Sequence, residues 1–342
     1  MRMLESRSQS RLPVEDASHV GECRRAAQHL AESYDLDATL VGRVGIVATE
    51  LANNLVKHAG RGELLIQAIR DGSDITIEVV SVDRGRGMHV DTCMRDGYST
   101  AGTAGTGLGA VRRMSSLFEV YSLLDQGTVV VSRVAPPPRP RLVDLDQERP
   151  FEFGAICLAM VGETECGDTW RIARRGDTTA ILVADGLGHG PLAAAASRSA
   201  GAGFVESPFD EPSECMQRLH SALSGSRGAA AACAVLDPAK AKVSYAGVGN
   251  IAGCVVSGDK SKGMVSHNGI LGVQLLRRQQ FEYDYNPGSR VVMHSDGMSA
   301  RWSIRDYPGL FTRHAAVVAA VLYRDHARGR DDVTVIVSGA RP

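Results

Sequence analysis

The sequence predicts an α+β protein of two domains. Three observations carry this: an apolar stripe of Leu40, Val44, Val47, Leu51 and Leu55 at helical spacing; two β-type runs flanking Asp71-Gly72; and a proline run, residues 135–140 (APPPRP), followed by a second, strand-rich region. Consecutive prolines lack amide donors and favour an extended geometry, so they join elements rather than continue them. At roughly 100 to 200 residues per domain, the 342 residues make about two. The expected division is 1–134, a short stiff linker at 135–150, and 151–342.

Taken in order, the stripe predicts a long helix with one buried face, ending near the glycines of His58-Ala-Gly-Arg-Gly62. Residues 64–69 and 75–80 then form a hairpin about Asp71-Gly72, a favoured turn pair. The glycine-rich stretch 102–109 leads into a helix-like 110–116, and strands follow at 118–124 and 128–134. The first domain reads as a mainly antiparallel sheet covered by helices. Beyond the linker, strands are expected at 153–161, 178–184, 231–236, 243–246, 251–256, 291–294 and 333–337. Helices are expected at 191–204 and 212–223, each with proline near its start.

Composition narrows the function classes. Hydrophobic residues make up 44% and charged residues 23%, the ordinary globular mixture, which excludes a fibrous or wholly disordered chain. Lys plus Arg number 38 against 39 Asp plus Glu, leaving no cationic excess for a nucleic-acid backbone. Seven cysteines without a CxxC pair fit reduced thiols. No apolar run approaches the ~18 residues of a membrane span. The expectation is a cytoplasmic protein with neither nucleic-acid nor membrane partners.

Within the first domain, Glu50 and Asn54 lie four residues apart and share a helix face. Asn54 offers a carbonyl oxygen to a hard cation, and Glu50 a base beside a nucleophile; taken alone, such a pair is usually solvated helix polarity. Asp83-Arg84-Gly85-Arg86-Gly87 offers an acid for a base's exocyclic amine and glycines for close backbone approach. Gly105-Thr106-Gly107-Leu108-Gly109 opens a helix whose free amides favour phosphate oxygens.

In the second domain four acidic landmarks stand at strand ends or turns: Gly167-Asp168, Asp185-Gly186, Asp296-Gly297 and Asp331-Asp332. A single Asp-Gly is usually a turn. Four acidic landmarks in this order can project carboxylates into one oxygen-rich site suited to Mg2+ or Mn2+.

In this order, residues 15–134 resemble the GHKL family of ATP-binding domains, and Glu50-Leu-Ala-Asn-Asn-Leu-Val-Lys-His-Ala-Gly60 is most similar to its RsbT-like switch kinases. The resemblance implies a GHKL (Bergerat-type) α/β sandwich that binds ATP and Mg2+. It makes Glu50 the catalytic base and puts Asn54 on the magnesium. Asp83, Gly85 and Gly87 belong to its adenine side, Gly105, Gly107 and Gly109 to its phosphate side, residues 88–104 to a lid, and Thr128 to closure of the adenine side. Arg86 stands where relatives commonly carry proline.

Residues 151–338 resemble the PPM phosphatases of the SpoIIE and RsbX branch through Glu165-Cys-Gly-Asp168, Val183-Ala-Asp-Gly-Leu-Gly-His-Gly190, Tyr245-Ala-Gly-Val-Gly-Asn250, His294-Ser-Asp-Gly297 and Arg330-Asp-Asp-Val-Thr334. This implies an αββα sandwich holding two Mn2+ or Mg2+ on Asp168, Asp185, Asp296 and Asp331, with the Gly186 carbonyl as a further ligand and Asp332 as the alternative to Asp331. His189 is a candidate proton donor to the leaving oxygen. Together the resemblances imply a chain that phosphorylates and dephosphorylates Ser/Thr on a STAS-domain anti-sigma antagonist or stressosome-type phosphoprotein, upstream of a sigma-pathway regulator. The alternative is a nucleotide-sensing binding module fused to an active phosphatase.

Overall fold

The computed structural model describes residues 1–90, 107–137, 151–275 and 277–339, with the side chains of Arg7 and Ser8 excepted. The described residues fall into two compact units, one within Gln9–Arg141 and the other made of Met1–Ser8 with the described part of Leu142–Pro342. The first eight residues therefore depart from the expected 1–134 grouping. The physical reason is a ladder: in strand β1 (Arg2–Val14), Arg2, Met3 and Leu4 pair antiparallel with Arg174, Ala173 and Ile172 of the C-terminal unit.

The N-terminal unit is a two-layer α/β sandwich. Helix α1 (Ser18–Glu32) packs on α2 (Ala38–Asn54), which starts where Asp37 Oδ1 accepts the amides of Thr39 and Leu40 at 2.8 and 3.0 Å. The stripe residues Leu40, Val44, Val47, Leu51 and Leu55 are all buried, against strands β2 (Gly62–Asp71), β3 (Asp74–Asp83), β4 (Leu117–Leu123) and β5 (Gly127–Val134). Strand order is β1-β2-β3-β5-β4, and the β2–β3 hairpin closes at Asp71 and Asp74 with Gly72 at φ +62°. Helix α3 (Gly107–Met114) lies against α2.

The C-terminal unit is an αββα sandwich. One sheet runs β13-β10-β9-β8-β7, from β7 (Asp168–Arg175), β8 (Thr178–Gly186), β9 (Ala229–Asp237), β10 (Lys242–Val248) and β13 (Ser266–His267), with β14 (Phe281–Asp284) also on β10. The other runs β12-β11-β15-β16-β6, from β6 (Glu152–Leu158), β11 (Ala252–Ser257), β12 (Lys260–Met264), β15 (Arg290–His294) and β16 (Val333–Gly339). Helices α4 (Pro191–Glu206) and α5 (Pro212–Ala222) cover the first sheet, and α6 (Ala315–His326) covers β6 and β16 of the second. Between the sheets, the buried Trp170 ring lies 6.0 Å from that of Phe153.

Candidate functional site

In the N-terminal unit the helix bearing Glu50 and Asn54 widens at once into a π-turn, Leu55–Ala59, closed by Gly60 at φ +76°. Such widenings are rare in helices and recur at functional sites. Gly107, first residue of α3, brings the phosphate-side motif onto this face. A methyl group there would sit 3.0 Å from Glu50 Oε2 and 3.7 Å from Asn54 Oδ1, so the backbone of α3 begins close against both side chains. Gly109 lies within the first turn of α3, whereas Gly105 and the lid positions 91–104 lie outside the described residues.

Asp83 ends β3 and holds the adenine-side motif in shape. Its Oδ1 accepts the amides of Gly85 at 2.8 Å and Thr128 at 3.1 Å. Gly127, at φ +86°, lies so close that a Cβ would fall 2.1 Å from the Asp83 carbonyl, and Gly87, at φ +67°, similarly meets the Leu123 carbonyl. Ser122 joins the group: its hydroxyl accepts the Met88 amide at 2.8 Å and lies 2.9 Å from Thr128 Oγ1. A pocket of about 570 Å3 adjoins this motif, lined among others by Lys57, His58, Arg84, Gly85 and Arg86 but not by Glu50 or Asn54. Asp83, Gly85 and Thr128 thus come together, as do Glu50, Asn54 and Gly107.

In the C-terminal unit Asp168 opens β7 and Asp185 nears the end of β8, and the ladder sets them directly opposite each other. Like charges so placed repel. Asp296 follows β15 and Asp331-Asp332 precede β16; these two strands are neighbours in the second sheet. Burial pushes Asp185 up to about 9, helped by the charges of Asp168, Asp296, Asp331 and Asp332. Burial likewise pushes Asp168 up to about 7, opposed by the hydrogen bond from Ser295. The five carboxylates therefore share one electrostatic site. Gly186 has no room for a side chain, since a Cβ would lie 2.0 Å from the Ala193 carbonyl at the start of α4.

The adjacent aspartates part company. Asp332 is buried, and its Oδ1 accepts the Met160 amide at 2.8 Å. Asp331 is exposed and its Oδ1 accepts the amide of Asp332 at 2.9 Å. Residues without a predicted role do the positioning. Ser295 Oγ donates to Asp168 Oδ2 at 2.6 Å and accepts the Thr334 amide at 2.9 Å, linking the two sheets; Asn250 Nδ2 donates to Asp296 Oδ2 at 2.7 Å. Both stand inside motifs quoted above, and their adjacency to Asp296 and Gly249 was the available signal. His189 Nδ1 lies 2.6 Å from Glu163 Oε1, a pairing the sequence did not foretell.

The donor set fits a hard divalent cation. It is all oxygen, and Asp168 Oδ1 and Asp332 Oδ2 are buried without a hydrogen-bond partner, although Thr334 and Gly167 lie close by. Among the described residues no three His, Cys, Asp or Glu side chains are drawn together closely enough to grip an ion as they stand. A site so charged has a measurable consequence. The ordinary carboxyl value is 3.8, so between it and about 7 and 9 the metal-free fold holds protons that the unfolded chain has released. That contribution to stability is complete below about pH 4 and is lost as pH rises through both folded values. The metal-free melting temperature of this unit is expected to fall by roughly 5 °C or more between mildly acidic and alkaline pH, and Mn2+ to restore it most at the alkaline end. Calorimetry with and without chelator checks this, and a melting temperature that rises with pH without metal contradicts it.

Fold and site together define a nucleotide-binding type of domain joined to one organised around a carboxylate cluster. Residues 13–133 match the family model of the histidine kinase-like ATPase domain, and residues 175–341 match that of stage II sporulation protein E (SpoIIE). The chain is 28% identical over 108 residues to the serine/threonine-protein kinase RsbT of Bacillus subtilis (strain 168), covering 31% of this chain and 81% of RsbT. It is 28% identical over 160 residues to the phosphoserine phosphatase RsbX of the same organism, covering 46% of this chain and 80% of RsbX. A solved chain from the bacterial stressosome, a modular system adapted to control secondary messenger signalling, superposes with TM-score 0.53 at 29% identity, over 56% of this chain and 100% of that one. The N-terminal unit is a histidine kinase-like ATPase domain of GHKL type and the C-terminal unit a SpoIIE domain of the PPM phosphatase class. The chain has the architecture of a partner-switching regulator.

Among the described residues no helix is long and apolar enough to cross a membrane.

Proposed function

We propose that this chain both adds phosphate to and removes it from a serine or threonine of a STAS-domain phosphoprotein, an anti-sigma antagonist or stressosome-type partner that in turn governs a sigma-pathway regulator. The observation that carries the phosphatase half is the cross-strand pair Asp168 and Asp185 within a cluster of five carboxylates. Asp168, Asp185, the Gly186 carbonyl, Asp296 and Asp331 would hold two Mg2+ or Mn2+, which would supply a water nucleophile at neutral pH and offset the charge of the phosphate. Ser295 and Asn250 fix the carboxylates of Asp168 and Asp296 in place. Asp332 ties the Met160 turn to the start of β16 through its Oδ1 and remains the alternative to Asp331 as a ligand.

The kinase half rests on Gly107 lying against Glu50 and Asn54. In this reading Glu50 takes the proton of the substrate hydroxyl, Asn54 holds Mg2+, and ATP is the phosphoryl donor. The amides at the start of α3, at Gly107 and Gly109, face the phosphates, while Asp83 and Thr128 form the adenine side. Covalent joining puts both activities on one chain, so the phosphorylation state of a shared partner reflects their balance.

The test is a time course of phosphate on the STAS protein incubated with the full chain, ATP and Mg2+. Net phosphorylation in a chain disabled at the carboxylate cluster, and net dephosphorylation in one disabled at Glu50, is the expected pair of results. Removal without any addition overturns the kinase half.

A further inference from the structure

We propose that Arg227 is the phosphate-recognition residue of the phosphatase site, taking the dianionic side chain of a phosphoserine or phosphothreonine on a protein substrate. The inference rests on the phosphatase reading above and names the residue that gives it specificity.

The β8–β9 ladder places Arg227. Asp185 pairs with Ala230 and Gly186 with Ala229, and the pairing continues past the strands as the Leu187 amide donates to the Gly228 carbonyl at 3.0 Å. The next step sets Gly188 beside Arg227. A Cβ on Gly188, at φ +88°, would lie 3.1 Å from Arg227 Nη1, so the guanidinium covers the backbone two to three residues beyond Asp185 and Gly186. The turn that carries it is pinned: Ser226 Oγ donates to the Leu223 carbonyl at 2.6 Å and accepts the Gly228 amide at 3.0 Å, and Gly225 and Gly228 take φ of +81° and +87°.

Charge says what the position is for. Five carboxylates lie at this end of the sandwich, yet Arg227 is exposed and, among the described residues, makes no ion pair with any of them. A phosphate monoester approaching such a cluster meets repulsion from every carboxylate not offset by a cation. A guanidinium held at the rim supplies a fixed charge and a planar pair of donors matched to two phosphate oxygens. Exposed apolar side chains adjoin its two neighbours in the ladder: Leu187, next to Gly188, at 43%, and Val273, against Gly228, at 62%. Val273 touches the same turn, its Cγ2 lying 3.1 Å from where a Cβ of Gly228 would be. A cation flanked by exposed apolar groups fits a phosphorylated residue presented by a protein surface better than a small sugar phosphate or a nucleotide.

The experiment uses the full Mn2+-loaded chain and its Arg227→Ala and Arg227→Lys variants. It measures hydrolysis of a phosphoserine peptide, inhibition by inorganic phosphate, calorimetric binding of inorganic phosphate, and Mn2+ affinity. The Ala variant is expected to raise KM for the peptide about 10- to 100-fold, the range for a lost charge-assisted hydrogen bond, and to weaken inorganic phosphate by a similar factor. Mn2+ affinity should hold, a readout that a merely structural role would disturb, and Lys should recover part of the loss. Wild-type hydrolysis with KM and phosphate affinity unchanged in Arg227→Ala overturns the proposal and leaves the phosphatase standing. Absence of hydrolysis of any phosphopeptide by the wild-type chain overturns the phosphatase reading and the proposal with it.

Discussion

An Asp185→Asn chain is expected to hydrolyse phosphoserine at least about 100-fold more slowly than the parent, since even groups that only support a metal ligand cost 10- to 100-fold when removed. The same change is expected to raise the melting temperature of the metal-free C-terminal unit by several degrees. Asparagine keeps the volume and removes a charge that burial and four neighbouring carboxylates oppose. Opposite signs for activity and stability distinguish a functional carboxylate from a structural one, for which both would fall. Phosphate release and calorimetry on the same preparation read the two effects. Retention of more than a tenth of the activity removes Asp185 from the site.

Much of this fold is legible in sequence because its elements bury one face and expose the other. The stripe from Leu40 to Leu55 marks α2, and the apolar runs about Asp71-Gly72 mark the β2–β3 hairpin. Elements without that contrast escape. Helix α6 (AAVVAAVLYRDH) is buried on nearly every side and shows no stripe. Strand β7 (DTWRIARR) hides among charges because Arg171 pairs with Glu5 and Arg174 stacks over Phe151. Strand β1 is polar along much of its length, and only pairing with β7 at one end and a place beside β2 at the other reveals it. The same distinction holds at the sites. Carboxylates and glycines at strand ends are visible as residue types, since turns and close approaches demand them. Ser295, Asn250 and Ser122 are ordinary residues whose importance comes from partners distant in the chain, Asp168, Asp296 and Met88. Arg227 belongs with them, because only the continuation of a strand ladder sets it beside Gly188.

The second large effect concerns Glu50. A Glu50→Gln chain is expected to lose roughly 100- to 10,000-fold of phosphoryl transfer to the STAS protein, the span ascribed to a positioned general base, while ATP affinity changes only a few-fold. Glutamine preserves the shape against Gly107, so loss of transfer with retained binding isolates proton removal from nucleotide docking. Asn54→Ala should behave differently: with the magnesium contact gone, ATP binding itself weakens. Gly107→Ala provides an internal control, because its methyl group would arrive 3.0 Å from Glu50 Oε2, close enough to shift that side chain, and only in ordinary contact, at 3.7 Å, with Asn54 Oδ1. The decisive quantity is the ratio of transfer to binding in each variant. If Glu50→Gln transfers phosphate as fast as the parent, the base lies elsewhere. If the parent binds ATP and phosphorylates no STAS protein, the glycine contact serves nucleotide sensing, and the N-terminal unit holds its partner in an ATP-dependent manner while the carboxylate site alone performs chemistry.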